Sequence, residues 1–218
     1  MKVIIFGISD LAKQLSFYIS HSKEFELVYF CVNKEYYKES EFMKKKVLIF
    51  EEDLDNISNT EFKFILAIGY KQMQMRKEIF EIIKNKGFNF INYIHPTATI
   101  MGDIRGEGNV ILSNVVIEPY SEVYDNNIIW SNVLLCHDSI VGSHNFIAAS
   151  SIIGGFSKVI DNNFIGFSTV IKDNIIVNKE VLIGAKSLLL VSPDDYYVYY
   201  GTPAEKVRSH GKNGIEIE

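Results

Sequence analysis

The chain has 218 residues, of which 47% are hydrophobic, and this is enough for one large or two small globular domains. Its net charge of −5 comes without long acidic or basic runs, so we expect neither nucleic acid nor an anionic membrane as the main partner. No apolar run reaches the roughly 18 residues of a membrane span, and the first residues lack the apolar core of a signal peptide, so a cytoplasmic protein is expected.

The first ninety residues alternate strand patterns with helix patterns. A β-branched run at 2–6 predicts a strand, and apolar residues at helical spacing after Gly7 predict a helix capped by Ser9 or Asp10. Further strands are predicted at 27–32, 47–50, 64–68 and 90–93. A second helix is predicted at 71–86, with an apolar face formed by Met75, Ile79, Ile82 and Ile83. This alternation predicts a small parallel α/β sheet.

Ligands of parallel α/β sheets bind beyond the carboxyl ends of the strands. Those ends carry seven candidate substrate-binding residues: Gly7, Ser9, Asp10, Asn33, Lys34, Gly69 and Tyr70. The helix N-terminus after the first strand would favour a phosphate, so a nucleotide or nucleotide sugar is a reasonable ligand. Only the first glycine of a G-x-G-x-x-G fingerprint is present, so NAD is not expected. The alternative is a turn that serves the fold and binds nothing.

A six-residue repeat dominates the second half of the chain. From residue 111 every sixth position is Val, Ile or Leu: Ile111, Ile117, Val123, Ile129, Leu135, Val141, Ile147, Ile153, Val159, Ile165, Ile171, Val177, Ile183 and Leu189. Nine of the thirteen residues two positions before these aliphatics, from 115 to 187, are Ser, Thr or Asn, which supports the frame. Such a repeat is typical of a parallel β-helix, in which three hexapeptides form a triangular coil of about 18 residues around a continuous core.

The repeat also predicts the domain organisation and the assembly. It begins after His95-Pro96 and stops after Leu190, so we predict an α/β domain at 1–94, a β-helix at 95–191 and a C-terminal cap and tail at 192–218. The residue before each core aliphatic is usually apolar too, and neighbouring strand residues point in opposite directions. One apolar row must therefore face outward, which predicts a closed homo-oligomer, most simply a homotrimer.

His137 is the strongest candidate for chemistry. It lies two residues after the core residue Leu135, at or beside a corner, and Asp138 follows it. A free imidazole has a pKa of about 6.5 and a carboxylate fixes its tautomer, so this pair suits a general base. Gly155 lies 18 residues further on, in the same column, and leaves room for a bulky ligand. The alternative is a surface histidine at a turn. The thiol of Cys136 should face away, so we do not expect it to be a nucleophile.

Several motifs follow one another along nearly the whole chain: Ile5-Phe6-Gly7, Ala67-Ile68-Gly69-Tyr70, Tyr93-Ile94-His95-Pro96, Trp130-Ser131, His137-Asp138-Ser139, Ile183-Gly184-Ala185 and Gly201-Thr202-Pro203-Ala204. Together with the repeat, this set resembles the left-handed β-helix sugar acetyltransferases that carry an N-terminal Rossmann-like domain, which include sialic acid O-acetyltransferases and nucleotide-amino-sugar N-acetyltransferases. The resemblance implies an α/β Rossmann-like domain followed by a left-handed parallel β-helix. It also implies acetyl-CoA as co-substrate and a role in surface-glycan biosynthesis.

The resemblance implies roles for individual residues as well. His137 would be the general base and Asp138 would raise its basicity. Acetyl-CoA would lie in a groove between two subunits, and four residues match its contacts: His144, Gly155, Phe167 and Ala185. Phe167 and Ala185 differ by 18 and so share a column, as a pantetheine arm along the axis requires. The nucleotide sugar would bind the α/β domain.

Other functions stay open at this point. We favour N-acetylation of a nucleotide-linked amino sugar, because the α/β domain offers a place for the nucleotide, and sugar or polysaccharide O-acetylation is the alternative. A zinc-dependent carbonic anhydrase of the trimeric β-helix type needs three histidine ligands; His137 and His144 supply two, and the repeat holds no third, so no metal is expected. A non-catalytic scaffold is the last alternative. The two cysteines, Cys31 and Cys136, fall in different domains and form neither a disulfide framework nor a cysteine zinc site.

Overall fold

The computed structural model describes residues 1–211 and 214–215, without the side chain of Gln72. Its contacts divide the chain into two compact units. The first contains Met1–Gly69 and Glu78–Ile91, and the second contains Tyr70–Lys77 and the described residues from Asn92 onward. Within the described part of the chain, no helix combines the length and apolar character that crossing a membrane requires.

The first unit is an α/β sheet. Its elements in chain order are β1 Lys2–Phe6, α1 Asp10–Ser20, β2 Glu26–Val32, β3 Glu41–Phe42, β4 Lys45–Ile49, α2 Phe50–Asp53 and β5 Phe62–Leu66. Short 3₁₀ turns cover Lys34–Tyr36, Leu54–Asn56 and Tyr70–Gln72, and the last of these leads into α3 Met73–Asn85. The strand order is β3-β4-β2-β1-β5, and all pairs are parallel except β3 with β4.

The apolar pattern of β1 explains its central place. Val3, Ile4 and Ile5 are completely buried between β2 and β5, as expected for a strand that is covered on both faces. Ser9 caps α1, since its hydroxyl accepts a hydrogen bond from the backbone N–H of Ala12. The predicted α/β sheet is therefore confirmed.

Two predicted elements differ from the structure. The predicted strand 90–93 does not form: Phe90 makes one isolated parallel bridge to Phe64, and Tyr93 already belongs to the β-helix. The buried face of α3 is also rotated relative to the predicted one. Ile82 is 42% exposed, whereas Arg76, which was not among the residues predicted to be buried, is completely buried. The buried face thus runs through 76, 79, 80 and 83, which is ordinary i, i+3, i+4, i+7 spacing with a charged first member.

The second unit is a left-handed β-helix with three faces, as predicted. Face 1 contains β6 Tyr93–Ile94, β9 Val110–Ile111, β12 Ile128–Ile129, β15 Phe146–Ile147, β18 Phe164–Ile165 and β21 Leu182–Ile183. Face 2 contains β7 Thr99–Ile100, β10 Val116–Ile117, β13 Leu134–Leu135, β16 Ile152–Ile153, β19 Val170–Ile171 and β22 Leu188–Leu189. Face 3 contains β8 Asp103–Ile104, β11 Glu122–Val123, β14 Ile140–Val141, β17 Lys158–Val159 and β20 Ile176–Val177.

The coils stack with a constant register of 18 residues. On face 1, Ile129 pairs with Ile147, and Ile147 pairs with Ile165. The other faces repeat this spacing. All fourteen aliphatics of the predicted row are buried, from Ile111 to Leu189. The hexapeptide frame therefore describes the core correctly.

Left-handed backbone and a ladder of polar side chains form the corners. A residue with φ between 52° and 65° recurs every six positions from Asn114 to Lys186, and asparagine is frequent there because it tolerates this conformation. Inside one corner, Asn109, Asn127, Asn145 and Asn163 bond one another's backbone N–H groups through their side-chain oxygens, at 2.9 Å per step. The repeat thus satisfies buried backbone groups as well as packing the core.

The C-terminal segment extends face 1. Strand β23 Tyr197–Tyr200 pairs in parallel with β21 and antiparallel with β24 Glu205–Ser209. The predicted domain bounds of 1–94, 95–191 and 192–218 differ from the compact units in two respects. The first rung begins at Tyr93, because it pairs with Val110, and the stretch 70–77 packs with the β-helix although it precedes it by fifteen residues.

The three faces differ in how their outward-pointing row is covered. On face 1, Val110, Ile128, Phe146, Phe164 and Leu182 are all buried within the chain. On face 2 the row begins with Thr99 and is apolar from there on, and these apolar residues are partly to substantially exposed, with Ile152 at 37%: Val116, Leu134, Ile152, Val170 and Leu188. Face 3 mixes charged and apolar residues. Face 2 is therefore the apolar row that faces outward.

Candidate active site

His137 lies at the corner between faces 2 and 3, which we call the second corner. Its side chain is exposed, and its Nδ1 lies 2.9 Å from Oδ2 of Asp138. Asp138 occupies the left-handed corner position, with φ at +57°, and this turn brings its carboxylate back to the neighbouring ring. Because a carboxylate accepts a hydrogen bond from an N–H, this contact places the proton on Nδ1 and the lone pair on Nε2.

Gly155 lies beside the His137 ring, one coil further on. An added Cβ at Gly155 would stand 3.1 Å from both Nε2 and Cε1 of His137, which is tighter than an ordinary contact. A side chain at 155 would therefore press on the nitrogen that carries the lone pair. Phe156 completes this edge with a perpendicular ring, 5.2 Å from the His137 ring between centroids.

Cys136 precedes His137 and is half-buried. Burial, and to a smaller extent the carboxylate of Glu118, raise the pKa of the Cys136 thiol. A thiol with a raised pKa carries less of the nucleophilic thiolate at neutral pH. This agrees with the prediction that Cys136 is not a nucleophile.

Phe167 and Ala185 lie at the corner between faces 1 and 2, which we call the first corner. They line a pocket of about 440 Å³. The other residues of its wall are Tyr70, Phe146, Phe164, Gly166, Leu182, Gly184, Tyr200 and Arg208. The rings of Phe146 and Phe164 stack at 5.4 Å, and the ring of Tyr70 packs against both. Half of the residues that line the pocket are therefore aromatic, and Arg208 adds one cation to its wall.

His144 lies at the corner between faces 3 and 1, the third corner, and is 5% exposed. Its Nδ1 lies 2.9 Å from the side-chain nitrogen of Asn126, and its backbone oxygen accepts a hydrogen bond of 2.5 Å from Arg76. Burial, followed by the charges of Arg76 and Lys77, lowers the pKa of His144 to about 3. His144 is thus a neutral, buried residue on a different corner from His137, so one chain does not bring the two histidines together.

Arg76 is a buried cation that the sequence did not single out. Its Nη2 donates to the backbone oxygens of His144 and Asn145, whereas Nε and Nη1 have no hydrogen-bond partner within the described part of the chain. Burial lowers the pKa of Arg76 to about 9, so the side chain stays charged at neutral pH. Its contacts join the stretch 70–77 to the third corner of the β-helix.

Among the strand ends of the first unit, those of β1 and β5 meet. Gly7 has φ at +116°, and a Cβ there would come within 3.0 Å of the Ala67 oxygen, so this turn requires glycine. Ser9 donates its hydroxyl to the same oxygen at 2.9 Å, while Asp10 is exposed in the first turn of α1 and pairs with Lys13. A Cβ at Gly69 would meet nothing within 4 Å.

Asn33 and Lys34 follow β2. The side-chain oxygen of Asn33 is buried and has no hydrogen-bond partner among the residues described. Lys34 pairs with Glu52 at 2.6 Å, and its backbone N–H bonds to Glu51 at 2.8 Å. The contact with Glu52 raises the pKa of Lys34. Tyr70, the seventh candidate, belongs to the second unit and lines the aromatic pocket instead.

Sequence reasoning missed several residues near these sites. Glu118, which contacts the backbone of His137, lies 19 residues before it, and the 18-residue register could have identified it. Phe146 and Phe164 belong to the apolar row that directly precedes the core aliphatics, but the sequence does not indicate which residues cover them. Tyr200 and Arg208 lie outside the repeat, where no periodic signal predicts their position.

The fold and these sites define a class: left-handed β-helix proteins that carry an N-terminal α/β sheet. A search against models of protein families found no match. Among solved structures, PerB from Caulobacter crescentus in complex with CoA and GDP-perosamine is similar over 95% of this chain and 98% of its own, with 20% identity and a TM-score of 0.85.

Two further structures agree with this likeness. The acetyltransferase domain of PglB from Neisseria gonorrhoeae FA1090 in complex with acetyl coenzyme A covers 94% of this chain and 98% of its own, with 20% identity and a TM-score of 0.82. WeeI from Acinetobacter baumannii AYE covers 95% of this chain and 100% of its own, with 16% identity and a TM-score of 0.71. At these identities the likeness shows the fold.

Proposed function

We propose that the protein is an acetyl-CoA-dependent acetyltransferase that N-acetylates a nucleotide-linked amino sugar in surface-glycan biosynthesis, with His137 as its general base. One observation carries this proposal: the exposed imidazole of His137 is held by Asp138 through Nδ1, while its Nε2 lies beside Gly155. A base needs this arrangement, with one nitrogen fixed and the other available to a substrate. The solved structures of similar fold that bind CoA with GDP-perosamine, or acetyl coenzyme A, support the choice of substrates.

The proposed reaction is a direct transfer, which the geometry of His137 supports. The acceptor amine attacks the thioester carbonyl and gives its proton to Nε2 of His137, forming the amide bond. The carbon–sulfur bond then breaks, and the proton passes from His137 to the departing thiolate, which leaves as CoA. Asp138 stabilises the imidazolium that forms in between. This route needs no acyl-enzyme, in keeping with the raised pKa of the Cys136 thiol.

The pocket at the first corner supports acetyl-CoA as the co-substrate. Its aromatic walls suit the apolar and ring portions of the molecule, and Arg208 offers a cation for a phosphate. Phe167 and Ala185 belong to this pocket, Gly155 lies at the second corner and His144 is buried at the third, so the predicted contacts fall on three corners of one chain. We infer that a second copy brings its second corner to this pocket, across the exposed row of face 2, in a homotrimer.

The first unit supports the nucleotide portion of the acceptor. The N-terminus of α1 follows Gly7 and Ser9, and helix N-termini favour phosphate groups. The unpartnered oxygen of Asn33 offers an acceptor for a base or ribose group. Lys34 is already paired with Glu52, so it contributes less to a phosphate than the sequence suggested.

The decisive test is a panel of nucleotide-linked amino sugars incubated with acetyl-CoA, in which released CoA is measured with a thiol reagent and the product by mass. Each amine should be paired with the sugar that carries a hydroxyl at the same carbon. We expect turnover with amines; turnover with the hydroxyl partners alone would replace N-acetylation by O-acetylation. No turnover with any acceptor would refute the acetyltransferase.

Two histidine variants test the site. His137→Ala should lose at least about 100-fold in kcat, as removal of a general base does. His21→Ala is the matched control, since His21 is exposed at the end of α1 in the first unit and should keep wild-type activity. Unchanged turnover in His137→Ala would remove His137 from the mechanism.

A further inference from the structure

The backbone of His137 is held by a carboxylate from the coil before it. The backbone N–H of His137 donates to Oε2 of Glu118, with 2.8 Å between nitrogen and oxygen. Glu118 follows β10 on face 2 and stands at the same second corner as His137, one coil earlier. A hydrogen bond to an ionised acceptor is roughly twice as strong as one between neutral groups.

This bond is not repeated at the second corner of the next two coils. The position of Glu118 is held by Cys136 in the next coil and by Gly154 in the coil after that. The matching positions for His137 are Gly155 and Asp173. Neither Cys136 nor Gly154 carries a carboxylate, so the bond occurs where the candidate base lies and is not repeated at the two equivalent corners that follow.

At the third corner the same backbone position also donates to carboxylates, from Glu107 to Asp125, from Ser143 to Asp161 and from Lys179 to Asp195, and each acceptor there follows its donor in the chain. The bond to Glu118 differs because its carboxylate comes from the preceding coil.

Other contacts leave little freedom to the turn around His137. Ser121 donates its hydroxyl to the backbone oxygen of Cys136 at 2.8 Å, and the N–H of Asp138 donates to the oxygen of Pro119 at 3.2 Å. The ring itself is held by Asp138 on one side and touched by Phe156 on the other. Among the residues that the structure describes, Glu118 contributes the one contact to the backbone N–H of His137 itself.

We propose that Glu118 is a positioning residue for the reaction: it fixes the backbone of His137 so that Nε2 of the exposed imidazole keeps its place beside Gly155. This rests on the proposed function, because the position matters only if Nε2 takes a proton. A base must lie within hydrogen-bond distance of the proton that it removes, and a misplacement of about 1 Å costs on the order of 100-fold in rate. In this proposal Glu118 acts through the backbone of His137.

Three variants separate the hydrogen bond from the charge. Glu118→Gln keeps an oxygen that accepts the N–H and removes the charge, whereas Glu118→Ala removes both. Glu122→Ala is the matched control, since Glu122 is a carboxylate four residues away whose partners are Arg105 and Tyr124 instead of His137. We expect Glu118→Ala to lose at least about tenfold in kcat with an unchanged KM for acetyl-CoA, and Glu118→Gln to recover most of that loss.

A second measurement does not depend on turnover. Protein labelled with ¹⁵N-histidine gives one backbone amide signal for each of its five histidines, and His137→Ala identifies the signal of His137. In Glu118→Ala that amide should exchange with solvent at least about tenfold faster than in Glu118→Gln, because its partner is gone. The other four amides should be unchanged, which shows that the fold is intact.

The outcomes distinguish the two proposals. Wild-type protein without turnover on any acceptor refutes the proposed function, and the exchange of the His137 amide still decides whether Glu118 holds it. With an active wild type, a kcat in Glu118→Ala equal to that of Glu122→Ala overturns the positioning role. So does an equal loss in Glu118→Gln and Glu118→Ala, because the charge and not the hydrogen bond would then matter.

Discussion

Replacing His144 with asparagine should make the β-helix less sensitive to mild acid. His144 is buried at the third corner, and its Nδ1 faces the side-chain nitrogen of Asn126, which can only donate. That bond therefore requires a neutral imidazole. Burial, and then the charges of Arg76 and Lys77, lower the pKa of His144 from 6.5 to about 3. Lowering the pH should consequently reduce the stability of the folded state through this residue.

The sign and size follow from proton linkage. Because the folded pKa lies below the unfolded one, the unfolded chain binds more protons between about pH 3 and pH 6.5, and the free energy of unfolding falls as the pH is lowered through this range. At about pH 5, His144 should cost about 2 kcal/mol relative to about pH 7.5, at 1.36 kcal/mol per pKa unit. A folded pKa one unit higher gives nearly the same figure, since folded His144 would still be mostly neutral at pH 5.

The chain offers a suitable probe for this measurement. Trp130 is its single tryptophan, and it lies in the same unit as His144 with its ring 6.2 Å from that of Phe146. Urea unfolding followed by tryptophan fluorescence, at one protein concentration and at both pH values, gives the loss of stability for each variant. Asparagine suits position 144, because φ there is +64° and Asn162 occupies the next corner of the same column.

Wild-type protein should lose about 2 kcal/mol more than His144→Asn on going from about pH 7.5 to about pH 5. His21→Asn also removes one histidine but keeps His144, and it should retain the wild-type loss. Equal losses in wild type and His144→Asn would refute the reasoning, because folded His144 would then take up its proton as readily as in the unfolded chain.

Three further predictions test the core, the pocket and the assembly. Asn127→Val keeps the volume of a buried ladder residue but leaves polar groups on neighbouring coils unpaired, so urea unfolding should show a loss of roughly 2–4 kcal/mol. Gly184→Ala places a methyl group against the ring of Tyr200, so it should lower the free energy of unfolding by about 1–3 kcal/mol and raise the KM for acetyl-CoA. Ile152→Asp on face 2 should yield monomers in light scattering, whereas Ile176→Asp should leave the oligomer intact, since Ile176 is comparably exposed but lies on face 3.

The β-helix could be predicted from sequence because its register is local. Each coil repeats after 18 residues, so the spacing of Ile111, Ile117 and Val123 already states which side chains point inward. The same arithmetic placed Gly155 beside His137, and the structure confirms that neighbourhood. Glu118 obeys the same register, and it was missed because it bonds a backbone atom rather than a side chain.

The hairpin formed by β3 and β4 shows what sequence patterns hide. Its turn residues, Met43 and Lys44, both have positive φ, at 49° and 61°. Such turns usually carry Asn-Gly or Asp-Gly, since those residues adopt this backbone at little cost. With Met-Lys in their place the turn gives no local signal, so only the second strand of the pair was predicted.

Long-range burial explains the error in α3. Arg76 interrupts the apolar stripe of this helix, and a charged residue normally marks the solvent side. The backbone oxygens of His144 and Asn145, almost seventy residues away, accept its hydrogen bonds and make its burial tolerable. No pattern within the helix contains that information. The aromatic pocket is equally hidden from local patterns, because Tyr70 lies before the repeat and Tyr200 lies after it.

In a triangular coil, one chain does not bring the candidate base and the aromatic pocket to the same corner. His137 and Gly155 lie at the second corner, Phe167 and Ala185 lie at the first, and the exposed row of face 2 runs between these two edges. A thioester co-substrate that contacts both pairs would have to cross this apolar face in a monomer. If instead face 2 packs against a neighbouring copy, the second corner of one copy meets the first corner of the next. Rotational closure then gives every copy one complete groove, so disruption of face 2 should abolish turnover even though each His137 keeps its own Asp138.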